Sequence, residues 1–207
     1  MARKTSEAAP TRRGRPRAYD TQAALKQATE AFWKTGYSGT SLDSIAAATG
    51  MNPPSLYAAF GNKHAIYLEA LARYWEISLA ATREALAEDR PLGESLMLAY
   101  EAALSIYFSG KGNARGCFVI GTAVTEAGED VAVRSSVAAG LRMIDADFEA
   151  RFRTAVENGE LAHDADPTAL AILAAATMHS IAIRARAGAR RTELREIARK
   201  AVNVICG

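Results

Sequence analysis

The chain has little with which to build a covalent framework. Its 207 residues include only two cysteines, Cys117 and Cys206. That excludes a disulfide scaffold and fits a reduced, cytoplasmic setting. Prolines number six, four of them before residue 55, so the remainder is almost free of helix breakers. No apolar run of about 18 residues stands out, and no basic-then-apolar leader opens the chain, so no membrane partner is expected. Neither a strand-like alternation nor an internal repeat is visible. The usual sets of reactive residues are also missing. His64, His163 and His179 share no ligand spacing with the cysteines, so neither a metal nor another cofactor is expected. There is no Ser-His-Asp order, nucleotide loop or carboxylate pair, and Glu126, Glu129 and Asp130 read as a solvated acidic turn. The chain is therefore not expected to be an enzyme.

What is present is helix. Hydrophobic residues make up 49% of the chain, enough for a sizeable core. The net charge of +2 is unevenly placed. Residues 1–64 carry nine Lys and Arg against four Asp and Glu, and residues 65–207 carry 16 against 19. The basic excess is densest at Arg12, Arg13, Arg15 and Arg17, which suggests an anionic partner for that end.

Residues 1–19 show no apolar period and read as a disordered basic arm. The first helix is expected from an Asp20 cap to Gly36, with Leu25, Ala28, Thr29, Phe32 and Trp33 on one face. Thr40 and Asp43 have capping-box spacing for a second, short helix ending at Gly50. Asn52 then caps a third, with Pro53 at its first position and a stop at Gly61-Asn62. A long helix is expected from Lys63 to Leu86, carrying Ile66, Ala70, Tyr74, Ile77 and Ala81. Further helices are expected after Asp89-Arg90-Pro91, over Cys117–Ala127, and through Val133–Phe152 to a stop at Asn158-Gly159. The last two carry Leu170–Ile181 and Leu194–Ile205. The expectation is an all-α protein of nine helices.

Residues 40–60 carry the functional signal. Two short helices joined by a tight turn at Gly50 make a helix-turn-helix. Ile45, Ala46, Met51 and Leu56 would pack the two helices on each other and on Phe32, leaving Asn52, Pro53, Pro54, Ser55 and Tyr57 outward. A major groove admits one such helix, whose N-terminal residues reach the base edges. The run Ala31-Phe32-Trp33, Gly36-Tyr37, Thr40-Ser41-Leu42-Asp43-Ser44-Ile45-Ala46, Gly50-Met51, Ser55-Leu56-Tyr57, Phe60 and Lys63 resembles the DNA-binding domain of the TetR family of bacterial regulators.

The resemblance implies a TetR-like architecture. An N-terminal three-helix helix-turn-helix domain at 20–64 would be followed by a larger helical ligand-binding and dimerisation domain at 65–207. It also implies roles. Thr40, Ser41, Tyr57 and Lys63 would contact phosphates, and Pro54 and Ser55 would read bases, with Asn52 or the arm assisting. Pro53 departs from the family by replacing a side-chain hydrogen-bonder. Arg15 and Arg17 would enter an adjacent minor groove. The partners implied are a double-stranded DNA operator and a second copy of the chain in a homodimer. Two reading heads would address half-sites about one DNA turn apart, roughly 34 Å.

In the larger domain Trp75, Met97, Tyr100, Tyr107, Phe118, Met143, Phe148 and Met178 are candidate walls of an effector pocket, with plain core as the competing account. Leu170, Leu173, Thr177, Ile181, Leu194, Ile197, Ala201 and Val204 are candidates for the four-helix dimer interface the resemblance implies, with packing inside one subunit as the competing account, and His179 reads as an interface histidine. Arg115-Gly116-Cys117-Phe118 places a cysteine after a basic loop and at a helix start, two features that lower a thiol pKa, but free cysteine is among the most buried residue types and a quiet buried thiol is the favoured account. The expected function is a transcriptional repressor released by a small apolar or amphipathic effector. The rivals are a thiol or electrophile sensor acting through Cys117 and a helical enzyme or carrier whose helix-turn-helix is incidental.

Overall fold

The computed structural model describes residues 20–87, 90–110 and 112–207. Among these there are nine α-helices and no strand. The expected arm, with Arg15 and Arg17, lies outside the described residues, as do Asp89 and Lys111.

The first three helices form a small head. α1 (Thr21–Thr35) starts where the Asp20 carboxylate accepts the Gln22 and Ala23 amides at 2.9 and 3.1 Å, and ends at Gly36. It buries Ala24, Leu25, Ala28, Phe32 and Trp33, a helical stripe facing α2 and α4. α2 (Leu42–Thr49) is capped by a box formed by Ser41 and Ser44, not by Thr40 and Asp43 as their spacing suggested. Thr40 instead turns inward. It is 2% exposed, and its hydroxyl donates to the Gly36 carbonyl at 2.6 Å and lies 2.7 Å from the Thr35 hydroxyl. At Gly50 the backbone adopts φ 65°, a left-handed turn that a side chain would resist. α3 (Pro53–Phe60) begins one residue after Asn52, whose side chain accepts the Ser55 amide at 2.9 Å.

α4 (Lys63–Ala85) is 23 residues long, roughly 34 Å at 1.5 Å per residue, and joins the head to the body. Ile66 and Tyr67 are buried near the head, while Leu71, Tyr74, Trp75 and Leu79 are buried further along. Ile77 turns outward, 52% exposed. α5 (Leu92–Tyr107) packs on α4 and on α9 (Arg191–Cys206). α7 (Val131–Glu157) packs on α4 and α8 (Pro167–Arg186). Where α7 crosses α4, a Cβ on Gly140 would lie 2.1 Å from the Trp75 ring, so only glycine admits this approach.

The expected apolar helix over Cys117–Ala127 differs in kind. A π-helical turn, Val119–Ala123, precedes the short α6 (Val124–Glu126). The Thr122 hydroxyl donates to the Phe118 carbonyl at 2.8 Å inside that turn. Such wide turns insert one residue and commonly mark functional positions.

Candidate DNA-reading surface and its coupling to the body

The α3 surface follows from which groups its fold consumes. Leu56, Phe60 and the preceding Met51 are buried against the head, so the opposite side must face solvent. Asn52, Pro53, Pro54, Tyr57, Ala58 and Ala59 are exposed, Tyr57 at 51%. Ser55 sits half-buried on the flank. Asn52 uses its carbonyl oxygen for the cap, which leaves its amide NH2 at the surface as a donor. Ser41 is exposed, and its hydroxyl proton is available because the oxygen acts only as acceptor within the box. Ala58 and Ala59 escaped the sequence reading. Being small, they let the helix approach another surface closely.

Two candidate phosphate contacts are engaged elsewhere. The buried Thr40 hydroxyl is spent inside the head and its amide donates to the Tyr37 carbonyl at 3.2 Å, which counts against the phosphate contact expected of it. Lys63 is half-buried; its ammonium donates to the Tyr37 and Thr40 carbonyls at 3.1 and 3.0 Å and lies 4.1 Å from the Tyr37 ring centre. An ammonium has three protons, so one donor remains. Lys63 therefore ties the start of α4 to the loop between α1 and α2 before it can serve any outside anion.

The head is joined to the body through aromatic rings. Phe32 meets Tyr67 at 5.0 Å, Trp33 meets Tyr74 at 5.4 Å and Phe118 at 5.6 Å, and Tyr67 meets Phe118 at 5.8 Å. Tyr67 bonds Thr122 of the π-turn at 2.9 Å, and burial pushes its phenol up to about 12. Polar ties flank this cluster. His64 lies 2.6 Å from Asp130, Ser38 donates to Glu126 at 3.2 Å, and Arg115 pairs with Glu30. The acidic turn read as merely solvated thus holds the head.

The candidate pocket residues do not gather round one cavity. Trp75, Tyr107 and Met178 line a space of only about 10 Å³, near the limit for a single water. Phe118 belongs to the aromatic joint. Tyr100 and Phe148 are core, the Tyr100 hydroxyl donating to the Ala174 carbonyl at 3.1 Å. Met97 is half-buried against that core, and Met143 is 38% exposed. Burial competes with pocket lining for the same residue types, and here burial wins for most of them. Larger clefts lie beside α1 instead, about 770 Å³ and 420 Å³, and both are lined by Glu30 and Trp33.

Cys117 follows the quiet, buried account and not the reactive one. It is buried, and burial pushes its thiol up rather than down, although the Tyr74 hydroxyl donates to its sulfur at 3.1 Å. Arg115 points away to Glu30 and so does not activate it. Of the dimer candidates, Ile181 and Leu194 are buried in their own subunit and cannot meet a partner. Leu173 and Val204 are exposed, while Leu170, Thr177, Ile197 and Ala201 are half-buried. The reading missed Ile172 and Ile183, each 56% exposed on α8. α8 is therefore apolar on two sides. That makes it long and apolar enough to cross a membrane by composition, although no such run was expected. His179 is half-buried on the same helix, and burial lowers its imidazole pKa. No cluster of metal-ligating residues occurs among the described residues.

Comparison with known proteins agrees with this geometry. Residues 24–70 match the bacterial regulatory proteins of the tetR family, and residues 94–202 match the tetracyclin repressor-like C-terminal domain. ComR, an HTH-type transcriptional repressor of Escherichia coli (strain K12), is 32% identical over 200 residues, covering 96% of this chain and 94% of ComR. BdcR, another HTH-type transcriptional repressor of that organism, is 35% identical over 107 residues, 52% of this chain and 54% of BdcR. A cysteine mutant of the TetR family transcriptional regulator CifR, solved with 26 bp double-strand operator DNA, has a TM-score of 0.82 at 32% identity. The match covers 91% of this chain and 98% of the CifR chain.

Proposed function

This chain belongs to the TetR family of bacterial regulators, and from that premise we propose that it is a cytoplasmic, homodimeric, sequence-specific DNA-binding transcriptional repressor. The observation that carries the proposal is the exposed face of α3, which starts at a capped N-terminus and bears no charged residue. Its Asn52 amide and Pro54 ring would meet base edges and thymine methyls, and Tyr57 and Ser41 would donate to flanking phosphates. Lys63 would add a single donor from its pinned position. Arg15 and Arg17 of the arm would supply the missing positive charge.

The exposed apolar strip of α8, Ile172, Leu173 and Ile183, with Val204 of α9, would form the two-fold interface. An isologous four-helix contact suits a strip repeated on both subunits. A small amphipathic effector would lower operator affinity by shifting the head relative to the body, a coupling typically worth about 1–3 kcal/mol.

The test is a gel shift with the DNA flanking the chain's own gene. The wild-type chain is expected to shift it. Tyr57→Phe should weaken binding by about 1 kcal/mol, the loss of one hydrogen bond. The double variant Leu173→Glu with Ile183→Glu should sediment as a monomer and lose the shift. No shift with any flanking fragment, or a shift unchanged in the monomer, overturns the reading.

A further inference from the structure

The cleft of about 770 Å³ lies between α1 of the head and the loop before the π-turn, within the size range of small-molecule sites. Its lining is unusual in charge. Among the described residues Lys34, Arg115 and Arg186 face it, against the one carboxylate of Glu30. Trp33 supplies an aromatic wall.

The cations are held in place. The Arg115 guanidinium stacks over Trp33 at 4.2 Å, donates to the Ser109 hydroxyl at 3.0 Å and pairs with Glu30. Its Nε is buried and has no hydrogen-bond partner. Arg186 donates to the Arg115 carbonyl at 3.2 Å, and Gly121 makes room for it, since a Cβ there would lie 2.7 Å from the guanidinium. Two fixed guanidiniums beside an indole form a slot for a planar group ending in a carboxylate. Arg115 already accommodates a carboxylate in that position, the one on Glu30.

We propose that this cleft binds aryl carboxylates, whose carboxylate takes the place of Glu30 on Arg115 with Arg186 assisting, while the ring lies against Ala31, Ala114 and the edge of Trp33 outside the Arg115 stack. Glu30 belongs to the head and Arg115 to the body. Exchange of the partner therefore cuts one of the ties between them. The consequence for operator binding rests on the regulator reading above; the binding itself does not.

The experiment is calorimetric titration of the full chain with benzoate and naphthoate, using benzyl alcohol and naphthylmethanol as neutral counterparts. The acids are expected to bind about tenfold or more tighter than the alcohols, since a charge-assisted hydrogen bond is about twice as strong as a neutral one. Arg186→Gln should weaken the acids about tenfold and leave the alcohols unchanged. Glu30→Gln should tighten the acids by about threefold or more, because the competing carboxylate is gone. A merely structural role for Glu30 predicts the opposite sign. Lys34→Gln, at an exposed position, provides a variant that leaves the fold intact and should weaken the acids about threefold. Failure of both acids to bind, equal binding of acid and alcohol, or weaker acid binding in Glu30→Gln overturns the site. A chain that shifts no DNA defeats the regulator reading alone, while the calorimetry still decides the cleft.

Discussion

The head and the body stabilise themselves differently, and this difference decides where function can be read. In the head every helix start is fixed by a side chain: Asp20, Ser41, Asn52 and, at the junction, Asn62. Its core is small, resting on Phe32, Ile45, Met51, Leu56 and Phe60. In the body Asp130 and Asp166 cap α7 and α8 in the same way, while α5 begins at Pro91 with no side-chain cap, and most of the order comes from long helices sharing a broad core. Caps serve both regions, but the body adds to them a broad core shared among long helices, which the head lacks.

The sharpest way to break that comparison is Phe32→Ala. Phe32 is fully buried and meets the rings of both Tyr37 and Tyr67. Loss of a buried phenylalanine costs about 3–5 kcal/mol. With so few large residues the head should melt first, leaving the body folded and, on the proposed reading, dimeric. Operator binding should vanish while sedimentation stays unchanged. A single cooperative transition by circular dichroism, abolishing the dimer together with the head, would mean that the two regions are not separable.

The complementary cut is Gly140→Ala. The added Cβ would fall 2.1 Å from the Trp75 ring, so α4 and α7 must separate. Overpacking of this kind costs about 1–3 kcal/mol. The expected signs are a lower Tm and a red-shifted Trp75 emission, with the head's operator affinity intact at low temperature. An unchanged Tm would show that the body yields where its packing looks tightest.

The same contrast explains what the sequence disclosed. Asp20, Gly50, Asn52 and Pro53 act within a few residues of themselves, so their roles at the helix ends were legible. Thr40 misled because Thr35 and Gly36, which bind its hydroxyl, face it only after the chain turns. Lys63 reaches back 23 residues to the Thr40 carbonyl, a contact no spacing rule reveals. In the body the helices were legible from periodicity, but the partition of their faces was not. Ile181 and Ile183 are alike in type and two residues apart, yet one is buried and the other exposed. The Arg115–Glu30 pair joins residues 85 apart in sequence and had no local signature at all.

A smaller effect tests whether the head's caps serve stability or recognition. Asn52→Ala removes the cap of α3, worth about 1 kcal/mol. It also removes the surface amide. If both roles hold, operator affinity should fall by more than the stability loss accounts for, as read by gel shift on fully folded protein. Asn52→Ser keeps a cap and removes the amide. It should restore the Tm without restoring affinity; recovery of both would make Asn52 a cap alone.

The smallest effect lies at the joint, where a residue of the body touches the head. Asp130 caps α7 by accepting the Val133 amide at 3.0 Å and the Ala132 amide at 2.9 Å, and it lies 2.6 Å from His64 of α4. The bond from Val133, and then that from His64, holds its carboxyl below the usual carboxylate range. The unfolded chain therefore takes up this proton first as pH falls. The stabilisation is complete above an ordinary aspartate pKa of about 3.9, and it disappears as pH drops through the lower folded value. Asp130→Asn keeps an oxygen for the cap but has nothing to titrate. Urea unfolding followed from neutral pH into the acid range should show a shallower loss for this variant. His64→Gln should leave part of the acid loss in place, because the Val133 bond, the largest single cause of the shift, survives in that variant. If His64→Gln flattened the acid limb as much as Asp130→Asn, the tie across the joint would outweigh the cap, and the head could not be treated as locally determined on its body side.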